Sequence, residues 1–410
     1  MSAKASSSPP KVYGWCPGAL RPMMSGDGLV VRIRAPLGRL TTQQAAAIAD
    51  LSRQYGNGLI DLSARGNLQL RGITSDGHAA VIATLQELGL LDRDAAAETR
   101  RNILVSPFWQ EGDDSHVIAG NIERALRAAD DLVLPAKFGF VVDAGPVPQL
   151  QDCAADIRVE RSGADLLLVA DGARLGCPVT VDTAAAAAIN LARWFVTQGG
   201  APEGRGRMHH LIARRGPPPS HTSAQSSPRC TSAPQPLPGQ VASGLLVALE
   251  FGQITAQSLA ALAHIGPLRL TPWRMILIEA AQTPARLPKL PANLSNLPDL
   301  SELDGVILDA TDPRLQVRAC TGAPGCLQAL SSTRDLARDL ASFVPEGQVL
   351  HVSGCAKGCA QPRPADLVLC ATGPDRFNLI HHGTAGDQPL QDPLSAADLR
   401  ANRELLTKGS

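Results

Sequence analysis

Aromatic side chains make up only 3% of this 410-residue chain, and no charge sign dominates, with 38 Lys+Arg against 38 Asp+Glu. The balance excludes a global basic field of the kind that draws nucleic acid, and equally an acidic tail that repels it. No apolar run approaches the length of a bilayer span, and the N-terminal "MSAKASSSPPKVYGW" has no apolar stretch after its lysine. A soluble, cytoplasmic protein with no nucleic-acid or membrane partner is expected. The length suits about two or three domains, each able to bury a core without staples. Disulfides are therefore not required, and in a reducing compartment the nine cysteines read as thiols or metal ligands rather than cystines.

The clearest boundary is "RRGPPPSHTSAQSSPRCTSAPQPLPG", residues 214–239, where proline, serine and threonine replace any hydrophobic period. It reads as a linker between two halves that look alike. Before it come an alternating strand at "GLVVRIR", a threonine-started helix at "TTQQAAAIADLSRQY" and a return to strand at "LIDLSARGNLQLRGI". After it, "SGLLVALEFGQITAQSLAALAHIGPLRLTPWRMILIEA" runs in the same order. Further along, "RRNILVSPFWQ" (100–110) and "VRACTGAPGCLQ" (317–328) take equivalent places, each ahead of a helical stretch. Duplication is the economical explanation, and it predicts a pseudo-twofold molecule with a pocket where the halves meet. The expected units are 14–95, 96–213, 240–300 and 301–410, around the linker.

Four cysteines cluster in two glycine-rich pairs, "CTGAPGC" (Cys320, Cys326) and "CAKGC" (Cys355, Cys359). Iron–sulfur clusters use cysteine thiolates, commonly four, on loops that must turn tightly enough for the sulfurs to converge. Glycines 322, 325, 354 and 358 permit such turning, because glycine takes positive φ cheaply. Structural zinc is the nearest rival, but neither gap is a good match for its knuckle spacing at both ends. The other five, Cys16, Cys153, Cys177, Cys230 and Cys370, read as small hydrophobes, with Cys16 in an irregular segment.

A Cys-x5-Cys pair followed by Cys-x3-Cys inside a duplicated chain resembles the sulfite and nitrite reductase family, over nearly everything outside the linker. Within it, "CPGALRPMMSGDGLVVRIR", "ARGNLQLRG" and "LHVSGCAKGCAQPRPADLVL" most resemble the precorrin-3B synthase branch. The resemblance implies an α+β fold of duplicated sulfite reductase-like architecture, with a ferredoxin-like half-domain and a larger α/β domain in each half about a pseudo-twofold axis. It implies that Cys320, Cys326, Cys355 and Cys359 ligate a 4Fe-4S cluster, the last bridging to siroheme iron where siroheme is present. For the branch it implies a monooxygenase of cobalamin biosynthesis acting on precorrin-3A with dioxygen. An electron donor, such as NADH through a reductase, and a non-haem iron of unassigned ligands go with it. The alternative is a siroheme-dependent nitrite or sulfite reductase.

Carried over residue by residue, the resemblance assigns Arg65, Arg101 and Lys137 to the catalytic anion side, with Asn102 following Arg101. The second lysine of the reductase pattern is replaced by Gly139, which removes one cation of the small-anion grip and makes room. Arg71, Arg318 and Lys357 are further substrate-binding candidates, since guanidinium groups hold carboxylates by paired hydrogen bonds. Lys357, between two cluster cysteines, either offsets cluster charge or faces water. Arg32 and Arg34 share one strand face and read equally as pocket cations or a solvated edge. His209 and His210, without acidic company in sequence, read as solvent-exposed.

Overall fold

The computed structural model describes residues 16–279, 300–389 and 391–406. The expected limits at 14 and 410, and residues 280–299 of the second half-domain, lie outside the described residues. Thr41 and Thr255 start the two helices anticipated after the first strand of each half. Thr41 accepts from Gln44 N at 3.1 Å while the Gln44 side chain accepts from Thr41 N at 2.9 Å, and Thr255 accepts from Ser258 N at 3.0 Å. Orphan donors of both first turns are thereby satisfied. The helices, Thr42–Tyr55 and Ala256–Ile265, place Ile48, Leu51, Leu259 and Leu262 in one shared core.

Each helix belongs to an antiparallel sheet, and the two sheets exchange strands. The first runs in the order Met23–Ser25, Gly28–Ile33, Leu68–Ile73, Leu59–Leu62 and then Gln253–Thr255 from the second half. The second runs Gly239–Val241, Gly244–Leu249, Met275–Glu279, Leu268–Leu270 and then Arg39–Leu40 from the first half. Each position in one order has its counterpart in the other. Even the irregularities repeat: the turns Pro36–Gly38 and Glu250–Gly252 hold Leu37 at φ 51° and Phe251 at φ 52°, a left-handed conformation that large side chains rarely adopt.

The remaining sheets repeat as well. Ile103–Val105, Phe140–Asp143 and Ile157–Ser162 pair in parallel, as do Val317–Ala319, Leu350–Ser353 and Ala365–Gly373. Each set then continues antiparallel, into Asp165–Ala170 and into Arg376–Gly383. The proline-rich segment runs along the first of these sheets. Ser227–Pro228 pairs with Leu175–Val179, buried His221 accepts from Ala170 N at 3.1 Å, and Arg229 clasps Glu160.

Candidate functional site

Val317–Ala319 and Leu350–Ser353 are parallel neighbours with Arg318 opposite His351, so their carboxyl ends lie at one sheet edge. Cys320 leaves the first strand and Cys355 follows the second after Gly354. Open sheets bind ligands at that edge. The loops are bonded to each other: Gly354 N donates to Cys320 Sγ at 3.2 Å and Leu330 N to Gly354 O at 2.8 Å. Of the four glycines, only Gly322 (φ 69°) and Gly358 (φ 59°) have positive φ. At Gly325 and Gly354 the constraint is instead close packing, since an added Cβ would lie 2.9 Å from Thr321 Cγ2 and 2.7 Å from Ala329 Cβ.

All four cysteines are free thiols; Cys320, Cys326 and Cys355 are half-buried and Cys359 is exposed. Partial burial pushes the Cys355 thiol up, opposed by the Lys357 N–H and reinforced by the fields of Cys326 and Cys320. Lys357 is exposed yet acts on Cys355. Among the described residues no group of three or more His, Cys, Asp or Glu closes on a single metal ion. A cubane interposes its own iron and sulfide between its ligands. Its fit is supported by orphaned polar groups behind the loops: both ring nitrogens of fully buried His351, and Nη1 of Arg274, have no partner.

The "CTGAPGC" loop is docked on the first half-domain. Gly325 O accepts from Gly26 N (3.2 Å), Ser25 Oγ (2.7 Å) and Arg71 Nη2 (2.6 Å). Arg71 is also gripped in bidentate fashion by Asp27, at 2.9 and 2.8 Å, with Asp61 at 3.4 Å. Arg71, expected in the substrate set, thus has donors engaged in holding the loop. Arg334 Nη2, at the start of the helix Arg334–Leu340, adds a 3.1 Å bond to Asp61. Arg318 Nη1 turns back onto Leu315 O at 2.6 Å and Val317 O at 3.3 Å.

On the other side lies a cleft whose lining includes Arg34, Arg65, Asn67 and Arg101 together with Leu270 of the second half. The half-buried Arg65 side chain has no hydrogen-bond or ion-pair partner among the described residues. Burial, then Arg207 and Arg32, draw its pKa down, while Cys16 opposes them. Arg34 is 6% exposed, so the solvated-edge reading fails for it. Burial first, then Arg32, lower it to about 10, and it remains a cation at neutral pH.

Arg101 does not project into this cleft as a free cation. Its Nε donates to both oxygens of buried Asp92, at 2.8 and 3.1 Å, and its Nη2 to Arg34 O at 3.0 Å. The Asn102 side chain is likewise engaged, donating to Phe138 O at 2.8 Å. Nor is there open room at Gly139: an added Cβ would lie 2.8 Å from Asn102 Nδ2. Lys137 is exposed. His209, expected without acidic company, lies 3.2 Å from Asp171. The arginine neighbours Arg207, Arg274 and Arg334 and the histidine His351 were not singled out from sequence. Strand alternation counted back from Cys355 points to His351; nothing local marks Arg274.

Residues 21–88 match the nitrite/sulfite reductase ferredoxin-like half domain. The whole chain is similar to the solved Mycobacterium tuberculosis NirA protein, at TM-score 0.65 and 18% identity over 93% of this chain and 81% of that one. The half-domain match and the shared fold are those of the nitrite and sulfite reductase class. A precorrin-3B synthase of Sinorhizobium sp is 30% identical over 92% of this chain and 84% of its own length. A ferredoxin–nitrite reductase of Leptolyngbya laminosa is 26% identical over 87% and 79%. The chain belongs to the precorrin-3B synthase branch of that family, and is an oxidoreductase.

Proposed function

We propose that the chain oxidises precorrin-3A with dioxygen to precorrin-3B in cobalamin biosynthesis, hydroxylating C20 and closing a lactone from the ring A acetate. One oxygen atom enters the substrate; the other leaves as water, with two electrons and two protons from a donor such as NADH acting through a reductase. The observation that carries this reading is the cleft lined by Arg65, which has no side-chain partner among the described residues, beside Arg34, which is held by Glu98, in a chain similar to a precorrin-3B synthase over most of its length. Acetate and propionate arms suit guanidinium forks. Lys137, exposed nearby in sequence to Gly139, is the remaining candidate cation of that side.

Cys320, Cys326, Cys355 and Cys359 would hold a 4Fe-4S cluster, which supplies one-electron transfer. Binding and orienting the substrate fall to the arginines. A non-haem iron is part of the same expectation, and the described residues contain no evident ligand group for it. Among them no helix is long and apolar enough to cross a membrane.

A siroheme-dependent nitrite or sulfite reductase is the second reading, favoured by the likeness to a nitrite reductase. Against it stands residue 139, where Asn102 fills the space beside a glycine. Protein purified without oxygen, then given precorrin-3A, reductant and air, is expected to yield a product heavier by one oxygen atom. Turnover of sulfite or nitrite at about 1 per second or faster, with siroheme bands in the visible spectrum, would overturn the proposal.

A further inference from the structure

The turn 271–274 ahead of the strand Met275–Glu279 repeats the turn 63–67 ahead of Leu68–Ile73. Each contains one left-handed residue near its end, Gly66 at φ 63° in the first and Arg274 at φ 60° in the second. Glycine takes that conformation without steric cost; an arginine does so against resistance. A strained residue held by its surroundings points to a role for its side chain. Arg274 crosses from the second half-domain to the cysteine domain, where its Nη2 donates to Ala360 O at 2.7 Å, the carbonyl next to Cys359. Its Nη1 is buried and has no partner.

Two further cations lie near Arg274, and the carboxylate among them, Asp61, is already bonded to Arg334 at 3.1 Å. Burial lowers the Arg274 pKa to about 9, with Arg318 and Arg334 adding to the effect and Asp61 and Cys320 opposing it. His351 is 0% exposed; burial, then Arg274, hold it down to about 4, so it is neutral at physiological pH. These polar side chains have apolar counterparts in the first half. There the register pair Leu104 and Val141 stands where Arg318 and His351 pair in the second, in a small apolar cluster with Leu150 and Ala155. At this register pair the second half thus carries polar side chains where the first half carries apolar ones.

We propose that Arg274 is a positioning and charge-setting residue for the cluster: its unused Nη1–H donates to a cluster sulfur, and its fixed charge raises the cluster's reduction potential. This rests on the reading of the four cysteines as ligands. A cluster held by four thiolates is anionic and gains a further negative charge on reduction. A nearby cation and an N–H donor to sulfur therefore favour the reduced state. His351, neutral and unpartnered, lies on the same wall.

The test is made on the full chain, comparing the parent with Arg274→Gln, and with Arg53→Gln as an exposed control outside this site. Iron and labile sulfide are measured first, followed by a reductive titration monitored by electron paramagnetic resonance. Arg274→Gln is expected to keep its far-ultraviolet circular dichroism and its cluster but to titrate at a lower midpoint potential, while the control matches the parent. An unchanged midpoint in Arg274→Gln, or an equal shift in the control, overturns the proposal. If Arg274→Gln does not load, Arg274→Lys is titrated; it too is expected below the parent, because the second guanidinium donor is lost, and equality overturns the proposal. A parent without iron and sulfide removes the ligand reading and this inference together. A loaded parent with an insensitive midpoint removes the inference alone.

Discussion

Arg65 and Arg101 line one cleft but differ in what already holds them. With no partner for Arg65 among the described residues, its guanidinium is available to a substrate carboxylate. A charge-assisted bond of that kind contributes roughly 1.5–3 kcal/mol, so Arg65→Ala is expected to weaken precorrin-3A binding by about one to two orders of magnitude. Iron content and melting temperature should stay at parental values, and Arg65→Lys should recover little, because an ammonium lacks the planar fork. Titration calorimetry checks the affinity. Arg101 is bonded to Asp92, whose side chain is 4% exposed. Arg101→Ala would strand that carboxylate, and breaking a buried pair from one side costs about 3–5 kcal/mol. Urea denaturation should show the loss even without substrate.

At the scale of elements, the cysteine loop depends on the hairpin beneath it. The loop Cys320–Cys326 meets Gly26 so closely that an added Cβ would lie 1.9 Å from Pro324 O. Backbone on both sides cannot yield as a flexible side chain would. Gly26→Ala is therefore expected to push the loop off its seat and lower iron and sulfide content, while circular dichroism stays near that of the parent. Cys326→Ser and Cys355→Ser should abolish the cluster signal by a different route, removing a thiolate ligand and leaving the docking intact. The parent is expected to hold about four iron and four sulfide per chain in the cluster. Stoichiometric zinc without sulfide would refute the ligand assignment.

Across the whole molecule, the halves are not independent. Gln253–Thr255 completes the first half-domain sheet and Arg39–Leu40 the second, and the helices of both share one core. Residues 16–213 or 240–406 produced alone would expose the apolar faces of Thr42–Tyr55 or Ala256–Ile265 and leave a sheet edge unpaired. Each half alone is expected to be insoluble or to bind a hydrophobic dye, and co-expression to restore a soluble complex. A half that remains soluble, binds no dye and unfolds cooperatively would show that the shared core is dispensable.

The duplication, the threonine-started helices and the two cysteine pairs were legible in the sequence because each is written locally, in a period of a few residues or in a short spacing. The exchange of edge strands was not, since a pseudo-twofold repeat reads alike whether its strands stay at home or cross over. Nor was the state of each arginine. Arg71 and Arg101 look as available as Arg65 until folding sets Asp27 and Gly325 beside one and Asp92 beside the other. Arg71 meets Gly325 across 254 positions of chain. Local sequence records that a guanidinium exists; whether its donors are free depends on contacts that only the tertiary fold brings within hydrogen-bonding distance.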